Sequence, residues 1–402
     1  MSLVQTTLAM ILSVNGIGQQ APDAMGAANP PTQVRISYGE DPTRMMRVVW
    51  QTKTPTKSLV VKYGTTDKLE QMAVGNRPTY VYETGALAEA TLYNLKPNTT
   101  YFYRCGSDQG GWSDVQSFRT ADPNPSSFVF TAFGDHGVSA DAVSNVKNVL
   151  FEKPAFHLLL GDISYANGNQ PIWDTYLAQI EPMTRSIPYM LAYGNHENED
   201  ITVDGKKLDI GYIATMTRFA MPGFEQSYEF DYGNARFVTF NSDDYENPVQ
   251  QMWLDRTLAE ARRNKKVKWL IVFEHHPLYG TSKGRGDNEG LIKAISPILD
   301  RYKVDLVLAG HDHHYERQYP MRNQQITSTH MSKYKKGDGT LYMIQGGGGR
   351  SLYDFTDPKP AKCAVREKTN GYVRITVPKK GSLKIEAKRV DRSLIEVIEI
   401  AD

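Results

Sequence analysis

Between residues 33 and 120 apolar and polar side chains alternate in short runs, at 33–38, 46–52, 58–63, 79–82, 89–92, 101–106 and 115–119. A period of two broken by turn residues predicts half-buried strands. About seven strands in under 100 residues predict an all-β sandwich with Trp50 in its core.

The turn-rich stretch Ala121-Asp122-Pro123-Asn124-Pro125-Ser126-Ser127 marks a boundary, after which the pattern changes. Continuous apolar runs at 128–133, 156–160, 188–192, 236–241, 267–273 and 304–309 alternate with amphipathic segments near 139–152, 172–185, 247–264 and 288–302. That is an α/β pattern. Further strands are predicted at 341–345, 371–377, 383–390 and 394–398. The organisation expected is therefore a leader and linker over 1–32, a β-sandwich over 33–121 and a catalytic domain over 127–400. Within the leader, residues 8–14 resemble a short signal-peptide core without a preceding basic residue, and residues 16–32 have the composition of a linker.

Charge and cysteine usage narrow the function. Against 45 Asp plus Glu stand 46 Lys plus Arg, a net charge of +1, so bulk electrostatics hold no polyanion and nucleic-acid binding is not expected. Any bound anion needs a local site. Cys105 and Cys363 are too few for a disulfide framework, an all-cysteine zinc site or an iron–sulfur cluster, and either pair or stay free. No stretch approaches the ~18 apolar residues of a membrane span. The sequon Asn98-Thr99-Thr100 is compatible with secretion.

The chemistry sits where strands end. The runs lead into Gly134-Asp135-His136-Gly137, Gly161-Asp162-Ile163-Ser164-Tyr165, Gly194-Asn195-His196-Glu197, His275-His276 and Gly310-His311-Asp312-His313. Five apolar strands are thus expected to deliver Asp, Tyr, Asn and His side chains to the carboxyl edge of one sheet, where α/β folds place their sites. Asp, Asn and His without Cys suit Fe, Mn or Zn. Seven donors exceed the three or four usual around one catalytic zinc, so two ions sharing a bridging aspartate are expected.

In order and spacing these blocks, with Val272-Phe273-Glu274-His275 and His313-His314-Tyr315-Glu316-Arg317, resemble the metallophosphoesterases and among them the purple acid phosphatases. The segment Leu95-Lys96-Pro97-Asn98-Thr99-Thr100-Tyr101 resembles the tyrosine corner of fibronectin type III domains, the domain that precedes the metal domain in plant-type members. The resemblance implies a four-layer αββα metallophosphoesterase domain behind a fibronectin-like sandwich. It implies that Asp135, Tyr165 and His313 bind Fe(III), that Asn195, His275 and His311 bind a divalent ion (Fe, Zn or Mn), and that Asp162 bridges them. The implied activity is an acid phosphatase in which metal-activated hydroxide attacks a phosphate monoester, with an acidic optimum because Fe(III) acidifies its water. Tyr165 would be the phenolate that gives the colour, and Asn195 and His196 would contact substrate.

The general acid is left between His196, His276 and a cation from 279–289, because histidines that plant-type members carry beyond the Val-x-x-His block are absent from 278–290; Tyr279, Lys283, Arg285, Asp287 and Glu289 stand there instead. The segment Lys283-Gly284-Arg285-Gly286 either reaches distal phosphates of a nucleotide or is a solvated loop. His136 either approaches substrate or packs on backbone. His157, His314 and His330 hold no ligand position, Gly346-Gly347-Gly348-Gly349 reads as a turn against the metal site, and Glu316 and Arg317 as supports for the strand presenting His313. Competing functions are a phosphodiesterase or nucleotide pyrophosphatase on the same metals, and an inactive binding or adhesion protein, which would be expected to lack a ligand. A secreted, lysosomal or vacuolar monomer or homodimer is expected, with Cys363 the candidate crosslink of a dimer.

Overall fold

A computed structural model describes residues 29–77 and 85–402. The leader with its signal-like segment 8–14, most of the linker and the expected strand 79–82 lie outside the described residues.

The first unit is all antiparallel. Thr32–Tyr38, Met46–Thr52 and Ala86–Leu92 form one sheet. Gln71–Val74, Val60–Gly64, Thr100–Ser107 and Gly111–Trp112 form the other, with Gln116–Arg119 also paired to Thr100–Ser107. Trp50 is fully buried. The Tyr101 hydroxyl accepts from the Lys96 N–H at 2.9 Å, which fits the tyrosine corner. Gln71–Val74 escapes sequence reading because its side chains are mostly exposed and carry no alternation.

Two seven-stranded sheets follow. The first runs Tyr189–Ala192, Phe156–Leu160, Ser127–Phe133, Gly371–Pro378, Leu383–Arg389, Leu394–Ala401, Lys333–Lys335. The second runs Tyr228–Tyr232, Ala235–Thr239, Trp269–Phe273, Leu306–Ala309, Leu341–Gln345, Tyr315–Gln318, Cys363–Glu367. Their parallel centres are buried on both faces, which is why Phe156–Leu160 and Trp269–Phe273 are continuously apolar. The sheets pack face to face through aromatic rings, with Phe237 at 5.1 Å from Phe130 and 5.0 Å from Phe156. Helices Ala140–Glu152 and Gln170–Thr184 follow strands of the first sheet, and Pro248–Arg263 and Glu289–Arg301 follow strands of the second. Ser139, Asn247 and Asn288 cap three of these helices by accepting from first-turn N–H groups. This is the expected αββα arrangement behind a β-rich unit.

The motif-bearing strands do not share one sheet. Ser127–Phe133, Phe156–Leu160 and Tyr189–Ala192 lie in the first and Trp269–Phe273 and Leu306–Ala309 in the second. Apolar periodicity reports burial and is blind to which sheet a strand joins.

The sandwich is anchored to the larger unit. Tyr103 donates to the Arg185 carbonyl at 2.7 Å and Tyr38 to that of Ala155 at 3.1 Å, while the Tyr38 ring joins Phe156, Phe230 and Tyr232. Cys105 and Cys363 are buried free thiols, so neither is presented at the surface for a crosslink. No helix among the described residues is long and apolar enough to cross a membrane.

His157 lies fully buried in the first sheet, its Nδ1 2.8 Å from Thr131 Oγ1 and its ring stacked on Tyr189. Burial, then neighbouring His136, holds its pKa well below the usual imidazole value. The unfolded ring takes up a proton below about pH 6.5 and the native ring does not, so this residue removes up to about 1.4 kcal/mol of stability for each pH unit below that point. In His157→Phe, urea unfolding at pH 7 and pH 5 is expected to give a smaller stability difference than in the parent. An equal difference would mean that His157 is charged in the fold.

Candidate metal centre

The site is built on strained backbone. Asp135, Asp162, Tyr165 and His311 all adopt left-handed φ values, between +51° and +67°. Such residues cost about 1–3 kcal/mol each and persist only where the surroundings over-determine them. Here the Asp135, His136 and Gly137 N–H groups donate to the Gly161, Asp162 and Ile163 carbonyls at 2.9–3.1 Å, lacing two loops together. The buried Glu197 carboxylate ties in a third, accepting from the N–H groups of Asp162 (2.9 Å), Ile163 (2.8 Å) and Gly194 (2.8 Å). Burial, then Asp162, raises its pKa to about 8 despite these donors. Gly161, at φ +77°, leaves room for the His275 ring; a Cβ there would stand 2.5 Å from His275 Nδ1. The glycine run abuts the site as its sequence suggests, since a Cβ at Gly346 would stand 2.7 Å from Asp135 Oδ2.

All seven side chains expected to bind metal converge here. Tyr165 Oη lies 3.0 Å from both Asp135 Oδ1 and His313 Nε2, and the latter two are 3.2 Å apart. In the second group, His275 Nε2 lies 3.2 Å from Asn195 Oδ1 and 3.1 Å from His311 Nδ1. Asp162 Oδ1, 3.2 Å from His275 Nε2, joins them; donor atoms of Asp135, Asp162 and His275 lie within 4.8 Å of one another.

The protons are spoken for elsewhere. His275 Nδ1–H donates to the Leu160 carbonyl at 2.9 Å and His313 Nδ1–H to that of Ser351 at 2.7 Å, so both rings turn Nε2 inward. The Tyr165 hydroxyl donates to Asp135 Oδ1, and the remaining carboxylate, amide and imidazole acceptors repel one another unless positive charge lies among them. A proton supplies part of it: burial opposes charge on His275, but Asp162, Asp135 and the Leu160 carbonyl lift its pKa to about 10. The Tyr165 phenol, by contrast, is held protonated by burial, then Asp135 and Asp162, and ionises only where a strongly acidic cation displaces its proton. An oxygen- and nitrogen-rich set containing a phenol and two carboxylates fits a pair of hard to borderline ions.

Around these donors stand groups suited to substrate. His196 is half-buried, its Nδ1 2.5 Å from Asn167 Oδ1 and its ring 4.4 Å from Tyr165. His276 is held by Ser242 Oγ at 3.0 Å, with its ring 4.3 Å from His311. Burial, then His275, pushes the His276 pKa down to about 3. His276 also groups with His275 and His311 as a conceivable third donor, which sequence reading did not anticipate. It lines an open cavity of about 430 Å³ with Arg285, His311 and Asp312. Lys283 is an exposed residue of its loop, whereas the Arg285 guanidinium meets His311 Nε2. Three residues were missed. Arg350 lies over the Tyr165 ring at 4.1 Å, Tyr353 stacks on His313 at 4.1 Å, and Asn167 orients His196. The only signal for the first two was their place just after the glycine run.

The other histidines stay apart. His136 is buried with Nε2 on the Ala142 carbonyl and Nδ1 on the Tyr176 hydroxyl, which selects backbone packing. His314 pairs with Glu316, and His330 is exposed. Glu316 accepts from the Thr281 N–H and hydroxyl, and Arg317 pairs with Glu396, so both brace the strand after His313.

Residues 31–120 match the family model for the N-terminal domain of purple acid phosphatase, and residues 128–315 that for calcineurin-like phosphoesterase. Purple acid phosphatase 21 of Arabidopsis thaliana is 32% identical over 366 residues, 86% of this chain and 78% of that protein. A relative named probable inactive purple acid phosphatase 1, from the same plant, is 31% identical over 348 residues, 76% of this chain and 56% of its own. The solved structure of purple acid phosphatase PPD1 from yellow lupin (Lupinus luteus) seeds shares the fold, with a TM-score of 0.83 at 23% identity over 93% of this chain and 74% of that one.

Replacing Glu197 with Gln puts an N–H donor against the backbone N–H groups it now accepts from. Metal affinity is expected to fall roughly 10- to 100-fold while the far-ultraviolet dichroism of the fold is retained. Metal counts per chain after equilibrium dialysis check this; unchanged affinity would show that the loops hold their strained form without Glu197.

Proposed function

Because this chain belongs to the purple acid phosphatase family, metal-dependent hydrolases of phosphate monoesters, we propose that Asp135, Tyr165 and His313 hold a ferric ion. Asn195, His275 and His311 hold a divalent ion of iron, zinc or manganese, and Asp162 bridges the two. The observation that carries this reading is the pair of inward-facing donor groups, 3.0–3.2 Å apart within each, joined through Asp162. A pair of bound ions supplies Lewis-acid polarisation of a phosphoryl oxygen and an acidified water. Two aspartates and an ionised Tyr165 offset three of the five positive charges, so the centre attracts a phosphate anion.

The chain's own residues do the rest. Asn195 and His196 orient the ester, and Asn167 fixes the His196 ring by accepting from its Nδ1–H. His196, partly exposed beside Tyr165, donates a hydrogen bond to a phosphate oxygen when its Nε2 carries a proton. His276, partly buried at the cavity wall and held neutral, is the second candidate for proton donation to the leaving oxygen. We assign residues 33–121 to the sandwich and 127–400 to the catalytic domain. The signal-like residues 8–14 and the exposed sequon at Asn98 support entry into a secretory route.

After reconstitution with iron and zinc, the protein is expected to hydrolyse p-nitrophenyl phosphate faster than the corresponding diester. The reverse order would favour a phosphodiesterase. Asp162→Ala should lose both ions and nearly all activity. His196→Ala should keep its metal but lose kcat by roughly 10²–10⁴-fold. Full turnover in His196→Ala would remove that residue from the chemistry.

A further inference from the structure

The Arg285 guanidinium reaches across the mouth of the metal centre from a surface loop. Gly284 and Gly286 flank it at φ +80° and +78°, a reversal that turns residue 285 back toward the site. The loop base is pinned, with the Lys283 N–H donating to the Asp354 carbonyl at 2.8 Å and the Arg285 N–H to that of Ser282 at 3.1 Å. Its side chain is 39% exposed, yet Nη1 meets His311 Nε2, Nη2 donates to the Tyr353 hydroxyl at 3.2 Å and the group lies 4.7 Å from the Tyr353 ring centre. Tyr353 in turn stacks on His313. One cation thus touches a member of one donor group directly and a member of the other through Tyr353.

The contact with His311 is conditional. His311 turns Nδ1 toward His275 Nε2 at 3.1 Å. For Nδ1 to offer a lone pair to an ion, the ring proton must sit on Nε2, and an N–H there cannot accept from a guanidinium. Two donors would then face each other. A metal-loaded centre would therefore free the Arg285 Nη1 donor toward the cavity it lines with His276. Asp312 Oδ1 lies 3.7 Å from Nη1.

Resting on the metal-site reading above, we propose that Arg285 is a substrate-binding residue that donates to a peripheral oxygen of the ester phosphate. The planar guanidinium fork matches phosphate geometry. It gives up no proton, so its contribution is charge and orientation, and it favours a monoester dianion over a diester, which carries one charge fewer.

The test uses metal-reconstituted protein with equal metal counts in parent, Arg285→Ala and Arg285→Lys. For Arg285→Ala, binding of inorganic phosphate by calorimetry and kcat/KM for p-nitrophenyl phosphate are expected to fall roughly 10- to 100-fold, with a smaller loss on the diester. Arg285→Lys should recover part of both. Phosphate affinity and monoester kcat/KM unchanged in Arg285→Ala would overturn the assignment, as would equal losses on both esters. A metal-loaded parent that hydrolyses neither ester would instead overturn the phosphatase reading on which the assignment rests.

Discussion

Electron-rich atoms do not crowd together without positive charge among them. Here carboxylate, amide, phenol and imidazole atoms of seven residues come within 3.0–3.2 Å of one another, and only the Tyr165 O–H on Asp135 Oδ1 and the proton that Asp162 and Asp135 favour on His275 relieve the crowding. The left-handed backbone at Asp135, Asp162 and Tyr165 is held by the hydrogen bonds that lace the loops together and by Glu197. Cations relieve the repulsion that remains.

The scaffold makes that crowding affordable by rigidity. Two sheets buried on both faces leave their strand ends few ways to relax, and aromatic packing around Phe130, Phe156 and Phe237 fixes one sheet on the other. Donors from Ser127–Phe133, Phe156–Leu160 and Tyr189–Ala192 meet those from Trp269–Phe273 and Leu306–Ala309 across the junction. Glu197 then carries the positioning one layer out. The sandwich adds to the same rigidity, because Tyr38 and Tyr103 tie it to the segments around Ala155 and Arg185.

Much of this was legible in the chain. Buried parallel strands are apolar throughout, so the abrupt change to Gly-Asp, Gly-Asn-His or Gly-His-Asp-His stood out against them, and the residues expected to bind metal converge. What sequence could not carry was partnership. Ser127–Phe133 and Trp269–Phe273 look alike but join different sheets, since burial has no address. Arg350 and Tyr353 bear no motif and act through contacts made only in the fold. Arg285 was one cation among several in its loop, and nothing local distinguished it from Lys283; the geometry of Gly284, Gly286 and Tyr353 does.

The central claim is that Tyr165 ionises onto a ferric ion. The visible absorption spectrum of the iron-reconstituted protein, recorded beside Tyr165→Phe with matched iron content, tests it most directly. The account predicts a purple charge-transfer band in the parent that is absent from the variant. A band that survives the loss of Tyr165, or an iron-loaded parent without colour, would contradict it.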